Sequence, residues 1–157
     1  MASLHSTTGR TKPLPNSEST AKVLGYAGLI PFITFSAGCW LPLPMVTDAL
    51  SVLIAYAAVI LSFMGAIHWG IAMPAAGASR NPYLIASVIP ALVAWVSLLL
   101  PAVPALVLLL FGFITLFLFD RRSVTAQGFP EWYLPMRRDL TLVVSICLIA
   151  ALLSVVV

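Results

Sequence analysis

Charge is what this chain has least of. Only 8% of its 157 residues are Asp, Glu, Lys or Arg, against about 25% in an average soluble domain. A water-soluble fold of this size would have too few charges to cover its surface. Cysteine is almost as scarce. Cys39 and Cys147 both sit inside apolar runs, where cysteine behaves as a small core residue, so neither a disulfide framework nor a redox motif is expected. There are two histidines, His5 near the start and His68 inside an apolar run. A haem held by two membrane histidines therefore lacks its second ligand. Met64 and His68 share a helical face suited to copper, but no further His or Cys is spaced to complete a site, and no metal or cofactor is expected. No phosphate-cradling loop, carboxylate pair or nucleophilic triad occurs. Glu18, Asp48, Asp120, Glu131 and Asp139 fall in tails, loops or helix ends. Enzyme chemistry is not the expectation.

What is present is hydrophobic residues, 61% of the chain, gathered in blocks nearly free of charge. Such blocks mark membrane-spanning helices. The fold class expected is all-α: a polytopic membrane protein built as a five-transmembrane-helix bundle. Its helices fall at about 23–41, 49–73, 83–100, 103–119 and 140–157. Each is long enough to cross a hydrocarbon layer of ~30 Å at 1.5 Å per residue. Leu- and Ala-rich runs lack the alternation of barrel strands, and an open strand edge cannot be satisfied in lipid. Residues 1–21 are polar and rich in Ser and Thr, and read as a disordered tail ahead of one membrane domain, 22–157. They lack the apolar core of a signal peptide.

The basic residues set a direction. Arg10, Lys12 and Lys22 precede the first helix, Arg80 lies between the second and third, and Arg121, Arg122, Arg137 and Arg138 lie between the fourth and fifth. All eight fall on one side, which the positive-inside rule makes cytoplasmic, or matrix in a mitochondrion. The N-terminus is expected there and the C-terminus on the opposite, periplasmic side. The net charge of +3 is thus topological, and nucleic-acid binding has no support. The partners expected are the lipid bilayer and a membrane protein complex or homo-oligomer.

The second helix is the expected strut. Ser51, Ala55, Ala58, Ser62, Gly65 and Trp69 recur at steps of four and three, one stripe of a helix, and small residues on a stripe let helices approach closely in lipid. His68 borders it, about five residues from the basic end. At the same depth the other helices offer Tyr26, Ser87, Thr115 and Ser145. With Ser62 these form a candidate polar layer around His68, an intramembrane ionisable group of the kind that marks functional sites. Pro31 and Pro90 lie mid-span and should kink their helices. Ser87 is placed to satisfy the carbonyl freed by Pro90. The remaining segment, 120–139, is expected to be an interfacial loop. There Arg121, Arg122, Trp132, Tyr133, Arg137 and Arg138 meet headgroups or a partner, and its charges can pair with one another.

Several runs carry a resemblance: Gly25-Tyr26 through Pro31-Phe32, Tyr56 through His68-Trp69-Gly70, Ser87 through Trp95, Asp120-Arg121-Arg122, and Trp132-Tyr133 through Arg137. Over about residues 24–157 the chain resembles the transmembrane protein 69-like family, multi-span proteins of bacteria and mitochondria with a domain of unknown function. The resemblance implies an inner-membrane location, in a bacterium or a mitochondrion, and implies no activity, cofactor or catalytic residue. Three classes of function stay open. The foremost is a structural, accessory or assembly component of a membrane complex. The others are a binder or carrier of a lipid, quinone or tetrapyrrole at the His68 layer, and a membrane redox or proton-relay subunit.

Overall fold

The computed structural model describes residues 15–41, 48–73, 81–127 and 130–157. They form six helices: α1 (Pro15–Ala27), α2 (Leu29–Gly38), α3 (Ala49–Ala72), α4 (Asn81–Ser97), α5 (Ala102–Gln127) and α6 (Tyr133–Val156). Among the described residues there is no strand. Four stretches are long and apolar enough to cross a membrane: 18–38 through α1 and α2, then α3, α5 and α6. The 17-residue α4 is a shorter apolar helix.

Proline explains several boundaries. Pro15, Pro82, Pro104 and Pro135 all lie in the first turn of their helices, α1, α4, α5 and α6. First-turn N–H groups have no partner within the helix, so a residue without one is tolerated there. Pro31 acts differently. It withholds a donor from the carbonyl four residues back, Ala27, and there α1 gives way to α2. The adjoining Gly28 carbonyl accepts a 3.0 Å hydrogen bond from the Tyr56 hydroxyl of α3, which ties the break to a neighbouring helix. Pro90 stays inside α4. Ser87 does not serve the carbonyl that Pro90 frees: its hydroxyl donates to the Leu84 carbonyl at 2.6 Å.

Two expected boundaries are corrected. Residues 15–21, read as tail, belong to α1. The interfacial loop at 120–139 is largely helix, because α5 runs on to Gln127 and α6 begins at Tyr133. At 26 residues, α5 is ~39 Å long and outreaches a ~30 Å hydrocarbon layer. Its charged end continues the same helix and does not terminate it.

The helices close a ring in the order α2, α3, α4, α5, α6, with α6 returning to α2, and α3 also packs across the ring on α5. The core runs along the inner faces: Phe32 of α2, Leu53, Ala57 and Leu61 of α3, Leu106 and Leu109 of α5, Leu148 and Ala151 of α6. Large apolar side chains such as Ile30, Val59, Trp95 and Phe111 stand exposed around the outside, the disposition expected where the surrounding solvent is lipid. Because lipid tails are as apolar as leucine, helix association here rests on packing and hydrogen bonds. Backbone packs closely at Gly65, where a β-carbon would lie 3.0 Å from the Pro90 ring and from the Ser87 carbonyl oxygen. That position holds α3 against α4.

A buried ion cluster at the basic end

The packed seam of α3 is Ile54, Ala58, Leu61, Gly65, His68 and Ala72, all buried. It has the same alternation of fours and threes as the expected stripe, and shares Ala58 and Gly65 with it. It is rotated, however, so that Ser51, Ala55 and Trp69 are exposed and Ser62 is half-buried, its hydroxyl turned to the Ala58 carbonyl. His68 stands in the middle of the seam. α5 carries a seam of its own through Ala105, Leu109, Phe113, Leu116 and Asp120. α6 carries one through Tyr133, Arg137, Leu140, Val144, Leu148 and Ala151. Three helices therefore bring His68, Asp120 and Arg137 inward at the basic end.

The three meet. Asp120 Oδ1 lies 2.8 Å from His68 Nε2, with both side chains 1% exposed. Asp120 Oδ2 accepts from Arg137 Nε at 2.6 Å and lies 2.5 Å from Nη2. Arg137 Nη1 points to the thioether sulfur of Met64 on α3. On the far side of the imidazole, Nδ1 lies 3.3 Å from the Gly65 carbonyl oxygen. Both ring nitrogens thus face acceptors, of which a neutral imidazole can serve only one. The approach of Nε2 to the carboxylate is a close polar contact without the alignment of a straight hydrogen bond. Phe119 closes the cluster from α5: its ring packs edge-on against His68 at 5.1 Å and Tyr83 of α4 at 5.9 Å. The Tyr133 hydroxyl neighbours Arg137. A carboxylate placed here with no cation would carry a large desolvation penalty. Sharing it between an arginine and a histidine offsets that penalty and ties α3, α5 and α6 together.

The other members of the expected layer do not join His68. Tyr26 is 43% exposed and its hydroxyl reaches Asp139 at 3.4 Å. Thr115 is exposed in a cleft of about 430 Å³ between α4 and α5. Ser145 is half-buried, and Ser87 is buried but bonded within its own helix. Of the expected interfacial residues, Arg121, Arg122 and Arg138 are exposed and Trp132 is half-buried. Tyr133 and Arg137 turn inward. Pairing among the charges of 120–139 was expected; what was missed is that Asp120 and Arg137 pair inside the bundle, with Asp120 against His68. The signal available for both was their place on the core period of their helices. Among the described residues no three His, Cys, Asp or Glu side chains gather to hold a metal ion.

Helices of this length and apolarity, with ionisable side chains paired inside the bundle, define a polytopic helical membrane protein. The chain belongs to the family described as "Protein of unknown function (DUF3429)", which it matches over residues 17–153. It is also 32% identical over 152 residues, 91% of its length, to a Xenopus tropicalis protein named "Transmembrane protein 69". It spans 57% of that relative's length. No solved structure matches it.

Proposed function

We propose that this protein is a non-enzymatic accessory or assembly component of a membrane complex. The membrane is the bacterial cytoplasmic membrane or, in a eukaryote, the mitochondrial inner membrane. The basic end faces the cytoplasm or matrix, as the positive-inside rule favours. The observation that carries the reading is the use made of Asp120: one oxygen is taken by Arg137 and the other faces His68. The cluster thereby joins three helices and leaves no carboxylate oxygen turned toward a substrate.

A structural ion cluster has a distinctive property. Replacing it as a whole by apolar residues of similar volume can be neutral or stabilising, whereas removing one member is strongly destabilising. The test is a triple variant, His68→Leu, Asp120→Leu and Arg137→Met, purified from its native membrane beside the wild type and compared by cross-linking and mass spectrometry. The expected result is that the triple variant inserts and recovers the same partner proteins. A variant that inserts and folds but loses its cellular role with its partners still bound would overturn the reading in favour of proton relay. A wild-type chain that purifies without any partner would overturn it as well.

A further inference from the structure

The Met64–Arg137 contact forms the polar end of a cavity that the ion cluster does not fill. This cavity, of about 110 Å³, lies between α1, α2, α3, α5 and α6. Its walls are almost wholly apolar, with Phe32, Ile60, Phe113 and Val144 at the deeper end. From Arg137 to Val144 it descends two turns of α6, or ~10 Å, toward the middle of the bilayer. Leu24 and Phe63, which also line it, are 67% and 65% exposed, so it opens sideways to lipid between α1 and α3.

We infer that this cavity binds a single-chain amphiphile with a carboxylate head, of the fatty-acid class. Arg137 offers Asp120 its Nε and Nη2 and directs Nη1 at a thioether, a weak acceptor on a flexible side chain. A carboxylate oxygen that displaces Met64 gains a charge-assisted hydrogen bond, about twice as strong as a neutral one. The polarity also fits. The cation lies toward the interface and the apolar walls toward the bilayer centre, the orientation of an amphiphile resident in the leaflet on the basic side. The volume selects among anionic amphiphiles: about 110 Å³ leaves no room for two chains and encloses the upper part of one, the rest lying in the opening to lipid, and one guanidinium nitrogen turned to it suits a small head rather than an esterified phosphate.

The experiment uses the full chain in nanodiscs with a photoactivatable diazirine palmitate, and cross-linked peptides are mapped by mass spectrometry. Labelling is expected on α3 around Ile60 and on α6 around Val144. Unlabelled palmitate should compete at least tenfold better than hexadecanol of equal chain length. Ile60→Phe fills the cavity without touching His68, Asp120 or Arg137 and should lower labelling at least tenfold in a chain of unchanged melting temperature. Equal competition by hexadecanol, or equal labelling of Ile60→Phe, would show simple partition into lipid and overturn the inference. Competition by phosphatidylglycerol as effective as that by palmitate would overturn the assignment to a carboxylate.

Discussion

The two ends of this bundle are held by different chemistry. At the basic end, helices are joined by side chains that need each other: Asp120 is shared by Arg137 and His68, and all three are buried. At the opposite end the ties run from a side chain to a backbone carbonyl. Ser36 of α2 donates to the Cys147 carbonyl of α6 at 2.9 Å, and the Trp40 indole donates to the Ala150 carbonyl at 3.1 Å. A carbonyl inside a helix already has its own donor. Removing Ser36 or Trp40 therefore leaves nothing orphaned, whereas removing Asp120 takes the shared carboxylate from a buried guanidinium and a buried imidazole. One end is conditional on every member being present, and the other is not.

That contrast can be broken or sharpened by substitution. Asp120→Ala should have the largest effect, a loss of about 3–5 kcal/mol, read as a lower midpoint of unfolding in mixed micelles. Gly65→Ala comes next, at about 1–3 kcal/mol, because its methyl group meets the Pro90 ring and a backbone oxygen. Cross-linking yields between α3 and α4 should fall with it. Ser36→Ala should cost about 0.6 kcal/mol, the mean measured for interhelical hydrogen bonds in a membrane. Tyr26→Phe, which removes one exposed 3.4 Å contact to Asp139, should stay within about 0.5 kcal/mol of the wild type in the same assay. If Ser36→Ala proves as damaging as Asp120→Ala, the two ends are equivalent and the distinction fails.

The sequence made the class and the apolar segments legible because hydropathy and length are one-dimensional properties, and so is depth in a membrane. Azimuth is not. His68, Tyr26, Ser87, Thr115 and Ser145 lie at similar depth, yet Tyr26 and Thr115 face outward, since nothing in a depth count says which way a residue points. Phase failed for a related reason on α3. The stripe through Ser51 and Trp69 and the true seam through Ile54 and His68 share Ala58 and Gly65, and small residues fit either inside or outside a bundle. The large apolar residues decide it, with Leu53, Ile54 and Leu61 inside. The end of α5 was obscured because, by hydropathy alone, a run of charge marks the end of a membrane helix and the start of a loop. Asp120 continues the core period set by Leu109, Phe113 and Leu116, and its charge is met by Arg137. Charges falling on the buried period of three helices were the legible mark of this site.

The division of the cluster among helices has a consequence for how the chain is made. His68 and Asp120 lie on α3 and α5, but the arginine that neutralises Asp120 lies on α6, the last of the described helices to leave the ribosome. Until α6 arrives, the nascent bundle holds an acidic side chain whose counter-ion has not yet been synthesised. The ring is also open then, because α6 supplies the contact back to α2. Completion of the charge pair and closure of the ring are one event in biogenesis. A chain interrupted before Tyr133 should remain a recognisable, unfinished product for the membrane's quality-control proteases.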